Sequence, residues 1–97
     1  MINTGCANAG TGKQGIQDAQ RSCAAFSKIT GVAAENILPF STGVIGELLP
    51  MDKLEAGLTP ALENLASEHW LRAAEGIAAG YASQNCVEKI TYSAAKR

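Results

Sequence analysis

One stretch of this chain has the residue types that acyl chemistry needs. Ser41-Thr42-Gly43-Val44-Ile45-Gly46-Glu47 follows a short apolar run, Ile37-Leu38-Pro39-Phe40, and contains two glycines. Gly43 has no side chain to shield it, so its backbone N–H is open to a ligand oxygen, and the Thr42 hydroxyl beside it is a second donor. Two donors aimed at one point are what an acyl-transfer oxyanion requires, because negative charge appears on the carbonyl oxygen only as the tetrahedral intermediate forms. Taken by itself, a Thr-Gly pair after an apolar run is far more often a plain turn, so the residues around it decide between the two.

The other chemically suggestive positions read as structural. Gly10-Thr11-Gly12-Lys13 precedes a helical pattern, and N–H groups at a helix start attract anions. The phosphate-loop pattern G-x-x-x-x-G-K-[ST] fails here, with Ala7 where glycine is needed and Gln14 where Ser or Thr is needed, which leaves a tight turn feeding a helix. His69 is the sole histidine, set between Glu68 and Trp70 with no serine or cysteine partner marking it as a base, and it reads as a partly exposed structural residue. Asp52, Glu55, Glu63, Glu68 and Glu75 fall where a solvated helix face would put them. Cys6, Cys23 and Cys86 show no C-x-x-C spacing and no second histidine to complete a zinc set, so they are expected to be reduced structural thiols, with no metal and no bound cofactor.

The elements that must position these residues are small. Ninety-seven residues with 46% hydrophobic and 18% charged content suit a globular domain or part of one, but with five aromatics and many alanines the core is modest. A net charge of −1 with interspersed signs offers no basic stripe, so no nucleic-acid partner is expected. No apolar run approaches the ~20 residues of a membrane span, and no secretory leader is visible, which makes a cytoplasmic, non-membrane protein the expectation. The Gly- and Asn-rich stretch to Lys13 is loop-like after a strand near Ile2 to Thr4. Lys13 to Ile29 has a helical stripe at Ile16, Ala19, Cys23, Phe26 and Ile29, stopped by Gly31.

Val32 to Asn36 reads as a turn and Ile37 to Ser41 as a buried strand, with Pro39 at its limit and Thr42-Gly43 turning the chain. A helix from Met51 is expected to restart at Pro60 with Thr59 as its cap and to stop near Ala66. Another, capped by Ser67, runs through Ile77 with Trp70, Leu71, Ala74 and Ile77 facing inward. No internal repeat is visible. Two strands with three or four helices make an α/β chain, helix-rich and poor in strands.

The longer string Ser41-Thr42-Gly43-Val44-Ile45-Gly46-Glu47-Leu48-Leu49-Pro50-Met51-Asp52-Lys53 is similar to a signature stretch of the ornithine acetyltransferase (glutamate N-acetyltransferase) family. Upstream, Asn3-Thr4-Gly5-Cys6-Ala7-Asn8-Ala9 and Gly12-Lys13-Gln14-Gly15 resemble its Asn- and Gly-rich segment, with Cys6 where Asn is common. Downstream, Trp70 and Ala73-Ala74-Glu75-Gly76-Ile77 resemble the helix before its next motif. The resemblance implies an internal fragment of the alpha-chain region of a layered αββα-type enzyme of arginine biosynthesis. Such enzymes move an acetyl group from N-acetylornithine, or in some members from acetyl-CoA as a substrate, to glutamate through an acetyl-threonine. It implies that Thr42 and Gly43 are the oxyanion-hole pair.

The departures are equally specific. After Ile77 the family continues Met-Thr-Thr-Asp-Thr, where this chain reads Ala78-Ala79-Gly80-Tyr81-Ala82, and the nucleophilic threonine is missing. Residues 1–77 are therefore read as the family-like part and residues 78–97 as a divergent tail. The expectation is a fragment without turnover alone, its partners being the family's amino-acid substrates together with a beta-chain-like partner or a second copy. The alternative is a non-catalytic partner-binding or degenerate fragment.

Overall fold

A computed structural model describes residues 1–82. Strand β1 (Ile2–Cys6) leads into helix α1 (Gly12–Thr30), a 3-10 turn (Ala34–Asn36), strand β2 (Phe40–Val44), helix α2 (Met51–Glu63) and helix α3 (Trp70–Ala82). The fold is α/β, as the element count predicts. The two strands form a parallel sheet in the register Ile2↔Phe40 through Cys6↔Val44. Parallel neighbours need a crossover, and α1 is its helix. α3 packs on both strands, and α1 packs on α2.

β2 starts later than the apolar run suggests. Pro39 has no N–H to give the ladder, so pairing begins at the next residue, where Phe40 N donates to Met1 O at 2.9 Å. The consequence for the site is direct: Thr42 and Gly43 lie inside the strand, and the bend falls at residues 45–47. Ile37 remains buried before the strand, its carbonyl accepting a weak bond from the Cys23 thiol at 3.6 Å.

α1 has the expected limits. Gly31, at φ +74, takes the left-handed stop and its N–H returns to Ser27 O at 2.9 Å. Its inward face differs from the apolar stripe. Gly15, Asp18, Ser22 and Cys23 are buried, whereas Ile16 is 62% exposed. This face meets polar loop and sulfur rather than an apolar sheet: Asn8 Nδ2 donates to Gly15 O at 2.7 Å, and the Ser22 hydroxyl donates to Asp18 O at 2.8 Å beside the Met51 sulfur.

α2 does not restart at Pro60. Proline sits inside the helix one turn before its end, where Asn64 N closes on Pro60 O at 3.2 Å, so its missing N–H removes a single bond near a terminus that frays anyway. Met51, Leu54 and Leu58 bury one stripe, which with Cys6 and Leu49 forms the core. Arg21 of α1 clasps Glu55 of α2 through two nitrogens and holds that carboxyl below its ordinary range, but the pair is exposed and fastens the helices only lightly.

The inward face of α3 also departs from the pattern. Ala73 is buried, while Trp70, Leu71, Ala74 and Ile77, the four expected to face inward, are exposed. Ser67 does not cap it; its hydroxyl donates to the Glu68 carboxylate at 3.0 Å.

The cysteines divide. Cys6 is disulfide-bonded, which corrects the expectation of thiols throughout, and Cys23 keeps its thiol. Burial pushes the Cys23 thiol up, so the reactive thiolate is scarce at neutral pH. Alkylation of Cys23 by iodoacetamide is expected to be slow in native buffer and fast in urea; equal rates would contradict its burial. Cys86 lies outside the described residues.

Candidate functional site

The site is a pair of short sequences laid side by side. Asn3-Thr4-Gly5 on β1 pairs with Ser41-Thr42-Gly43 on β2, residue for residue. The second Thr-Gly pair is what the sequence reading missed, and the recurrence of Thr-Gly at the end of both predicted strands is the signal that marks it. Side chains alternate across a sheet, so Thr4 and Thr42 share one face and Asn3 and Ser41 the other.

Gly5 and Gly43 allow the strands to sit close. Gly43 has φ +131, and a Cβ built on it would lie 2.4 Å from both the carbonyl carbon and the oxygen of Gly5. On the Asn3 face the strands are pinned by side chains. The Ser41 hydroxyl donates to Asn3 Oδ1 at 2.6 Å, and Asn3 Nδ2 donates to Cys6 O at 3.2 Å.

The ladder then separates the two Thr-Gly pairs. Phe40 N donates to Met1 O and Ala7 N to Val44 O, each at 2.9 Å. In a parallel ladder alternate residues of a strand face the same neighbour, so Phe40, Thr42 and Val44 turn their backbone groups to β1, while Ser41 and Gly43 turn theirs to the outer edge. By the same alternation Gly5 N–H is directed to Thr42 O. Of the two glycines, Gly43 has an N–H facing outward, next to the half-buried Thr42.

Thr4 is its counterpart in burial. It is 4% exposed, and its hydroxyl has no partner among the described residues. A buried hydroxyl without a bond costs about 1–3 kcal/mol. Thr4→Val is therefore expected to raise the thermal midpoint, by roughly 4 °C or more per kcal/mol in a chain of this size. A fall in the midpoint would show that the hydroxyl is bonded after all.

The loops after the strands are tied to this frame. The Thr11 hydroxyl donates to Asn8 Oδ1 at 2.7 Å, which is why it does not cap α1. Gly46 N reaches Ala9 O at 3.3 Å, joining the two loops. A cleft of about 220 Å³ opens on the Ser41 face, lined by Asn3, Asn8, Ser22 and Ser41 together with Met1 and Leu49, hydrogen-bonding but without charged side chains.

His69 is not brought here; it lies in the turn before α3, with Nδ1 at 2.9 Å from Asn64 O. Glu55 and Asp52 face Arg21, and Glu68 faces Ser67. Among the described residues no group of acidic, histidine or cysteine side chains is arranged to hold a metal. No described helix is long and apolar enough to cross a membrane.

Parallel strands joined through a helix place the chain among the α/β proteins. More narrowly, it belongs to the ArgJ family, whose sequence model matches residues 1–93. It is 52% identical over 77 residues to the arginine biosynthesis bifunctional protein ArgJ of Pseudomonas syringae pv. tomato. It is 54% identical over 77 residues to that of Colwellia psychrerythraea. Those matches take in 79% of this chain but 19% and 18% of the two relatives, so the chain spans about a fifth of their length. The crystal structure of the ArgJ protein of Bacillus halodurans is similar at a TM-score of 0.57 and 42% identity, covering 59% of this chain and 30% of that one.

Proposed function

We propose that this chain is the oxyanion-hole segment of an acetyltransferase of arginine biosynthesis, one that moves an acetyl group from N-acetylornithine, or from acetyl-CoA, to glutamate. The observation that carries the reading is the outward-facing Gly43 N–H beside the Thr42 hydroxyl. As a nucleophile adds to the acetyl carbonyl, the oxygen gains charge, and these two donors stabilise it without having to reorganise. As the tetrahedral intermediate collapses, the oxygen returns to a carbonyl and the donors relax to weaker bonds. The family resemblance supplies the nucleophile as a threonine elsewhere in the enzyme. This chain alone therefore binds a transition state it does not generate, and purified by itself it is expected to show no turnover. Its compartment in this reading is the cytoplasm, where amino-acid biosynthesis runs on small soluble substrates.

The test is a chimera. The matched 77 residues of the Pseudomonas syringae relative are replaced by the corresponding residues of this chain, and acetyl transfer from N-acetylornithine to glutamate is followed. Thr42→Val in that chimera is expected to lower kcat by about 100- to 1,000-fold with KM little changed, as for loss of one oxyanion donor. A Thr42→Val chimera as fast as its parent would sink the assignment.

A second reading, a fragment whose role is to bind a partner chain, is favoured by one observation: the outer edge of β2 is unpaired among the described residues.

A further inference from the structure

Among the described residues the buried polar side chains are those of Asn3, Thr4, Asp18 and Ser22. Three of them have partners. Asn3 bridges the Ser41 hydroxyl and Cys6 O, Asp18 accepts from Gln14 Nε2 at 3.0 Å, and the Ser22 hydroxyl donates to Asp18 O. Thr4 alone of the four has none among the described residues. Neither packing nor the strand accounts for its hydroxyl, since valine has nearly the same shape and suits a strand as well. Buried polar groups are nearly always bonded, and an exception marks strain or a functional role. The register partner of Thr4 is Thr42. Partners on neighbouring strands lie about 4.8 Å apart and point to the same face, so the two hydroxyls stand side by side, a turn about one side-chain bond from meeting. In the free chain that bond is not made.

We propose that Thr4 is a positioning residue for Thr42: when the Thr42 hydroxyl commits its hydrogen to the charged oxygen of the acetyl group, the Thr4 hydroxyl donates to the Thr42 oxygen. The inference rests on the reading of Thr42 and Gly43 as the donor pair. A hydroxyl donates one bond and accepts up to two, so Thr42 pointing its hydrogen at the oxyanion still has lone pairs to offer. A bond accepted there holds the Thr42 O–H in one direction and polarises it, because hydrogen bonds in a chain strengthen one another. The buried hydroxyl of Thr4 thereby gains, as charge develops, the partner it lacks in the free chain. An interaction that is stronger in the transition state than before it is the kind that raises a rate. Thr4 itself touches neither substrate nor nucleophile in this arrangement; it acts through Thr42.

The chimera that carries the corresponding residues of this chain in the Pseudomonas syringae relative is compared with its Thr4→Val and Thr4→Ser variants. Thr4→Val is expected to lower kcat about tenfold with KM little changed, near the upper end of what one neutral hydrogen bond contributes, while the thermal midpoint rises. Thr4→Ser keeps the hydroxyl and is expected to stay within about threefold of the parent. A hydroxyl with a merely structural role would move stability and rate in the same direction. A second measurement needs no active chimera and decides the matter where the chimera does not turn over. Acetate, whose carboxylate oxygen stands in for the charged carbonyl oxygen, is titrated into this chain while the Gly43 amide resonance is followed. Thr4→Val is expected to weaken acetate binding by about threefold, and Thr42→Val to abolish the response. An unchanged kcat in Thr4→Val overturns the inference, as does a midpoint that falls together with kcat. So does acetate binding that is lost in Thr42→Val and indifferent to Thr4→Val, a result that leaves the donor pair standing. A Gly43 amide that ignores acetate in the parent chain removes the donor pair and this inference with it, so the two failures are read separately.

Discussion

Gly43→Ala is expected to destabilise the fold by about 2–6 kcal/mol, the sum of a side chain forced into a positive-φ backbone and a methyl forced into packed atoms. The geometry leaves no escape. The new Cβ would meet the carbonyl carbon and oxygen of Gly5 at 2.4 Å and Cys6 N at 2.9 Å, all of them backbone atoms that move only if the strands part. Small domains hold a margin of about 5–15 kcal/mol, so this single methyl takes a large share of it. Gly46→Ala is the matched comparison. It has φ +88 with open space around the new atom, so it bears the backbone term of about 1–3 kcal/mol alone. Urea unfolding followed by circular dichroism measures both, and equal midpoints for the two variants would refute the close approach of the strands.

Leu54→Ala is the second large effect, at about 2–5 kcal/mol. Leu54 is 1% exposed and packs with Cys6, Leu49, Met51 and Leu58, the cluster through which α2 meets the end of β1. Among the described residues few other large side chains are buried, so neighbours have little material with which to collapse into the cavity. Leu48→Ala, at a side chain 53% exposed, is expected to change stability by no more than about 0.5 kcal/mol. Thermal melts of the two variants decide the matter; comparable losses would mean that α2 is not anchored by this residue.

These effects bear on how much was legible in the sequence. The α/β class, the limits of α1 and the family were readable, because Gly31 directly after the helical stripe supplies a left-handed stop and a thirteen-residue match is hard to mimic by chance. The faces of the helices were not. Ile16 and Trp70 satisfy a helical period yet point outward, since periodicity reports that a helix has an apolar side and not that this side is covered. The Pro60 reading failed for a different reason: a proline in the last turn costs one hydrogen bond, and the stripe Met51, Leu54 and Leu58 is long enough to outweigh it.

The site divides in the same way. Sequence placed Thr42 and Gly43 in a turn, where an N–H is free by default. The structure puts them in a strand, where freedom of an N–H depends on which neighbour the ladder serves. Only the pairing of Thr4-Gly5 with Thr42-Gly43 shows that the Gly5 N–H is directed to the neighbouring strand and the Gly43 N–H away from it, and no local pattern encodes a register between strands so far apart. The oxidation of Cys6 was equally hidden, since an odd number of cysteines leaves their partnering undetermined.

The parallel pairing has a further consequence, in the order of assembly. β1 gains no backbone partner from its neighbours in sequence; it waits for Phe40 to Val44, and the whole of α1 lies between. Helix formation is local and takes about a microsecond, whereas closing two strands across such a crossover is slow because the chain loses freedom before any bond repays it. On these timescales α1 is expected to form before β2 pairs with β1, so the strand edge that holds Gly43 is expected to be completed after the helix that precedes it. During synthesis, β1 emerges with its polar Asn3 and Thr4 unpaired until the ribosome has released Val44, and a chain halted before that point has helix but no sheet.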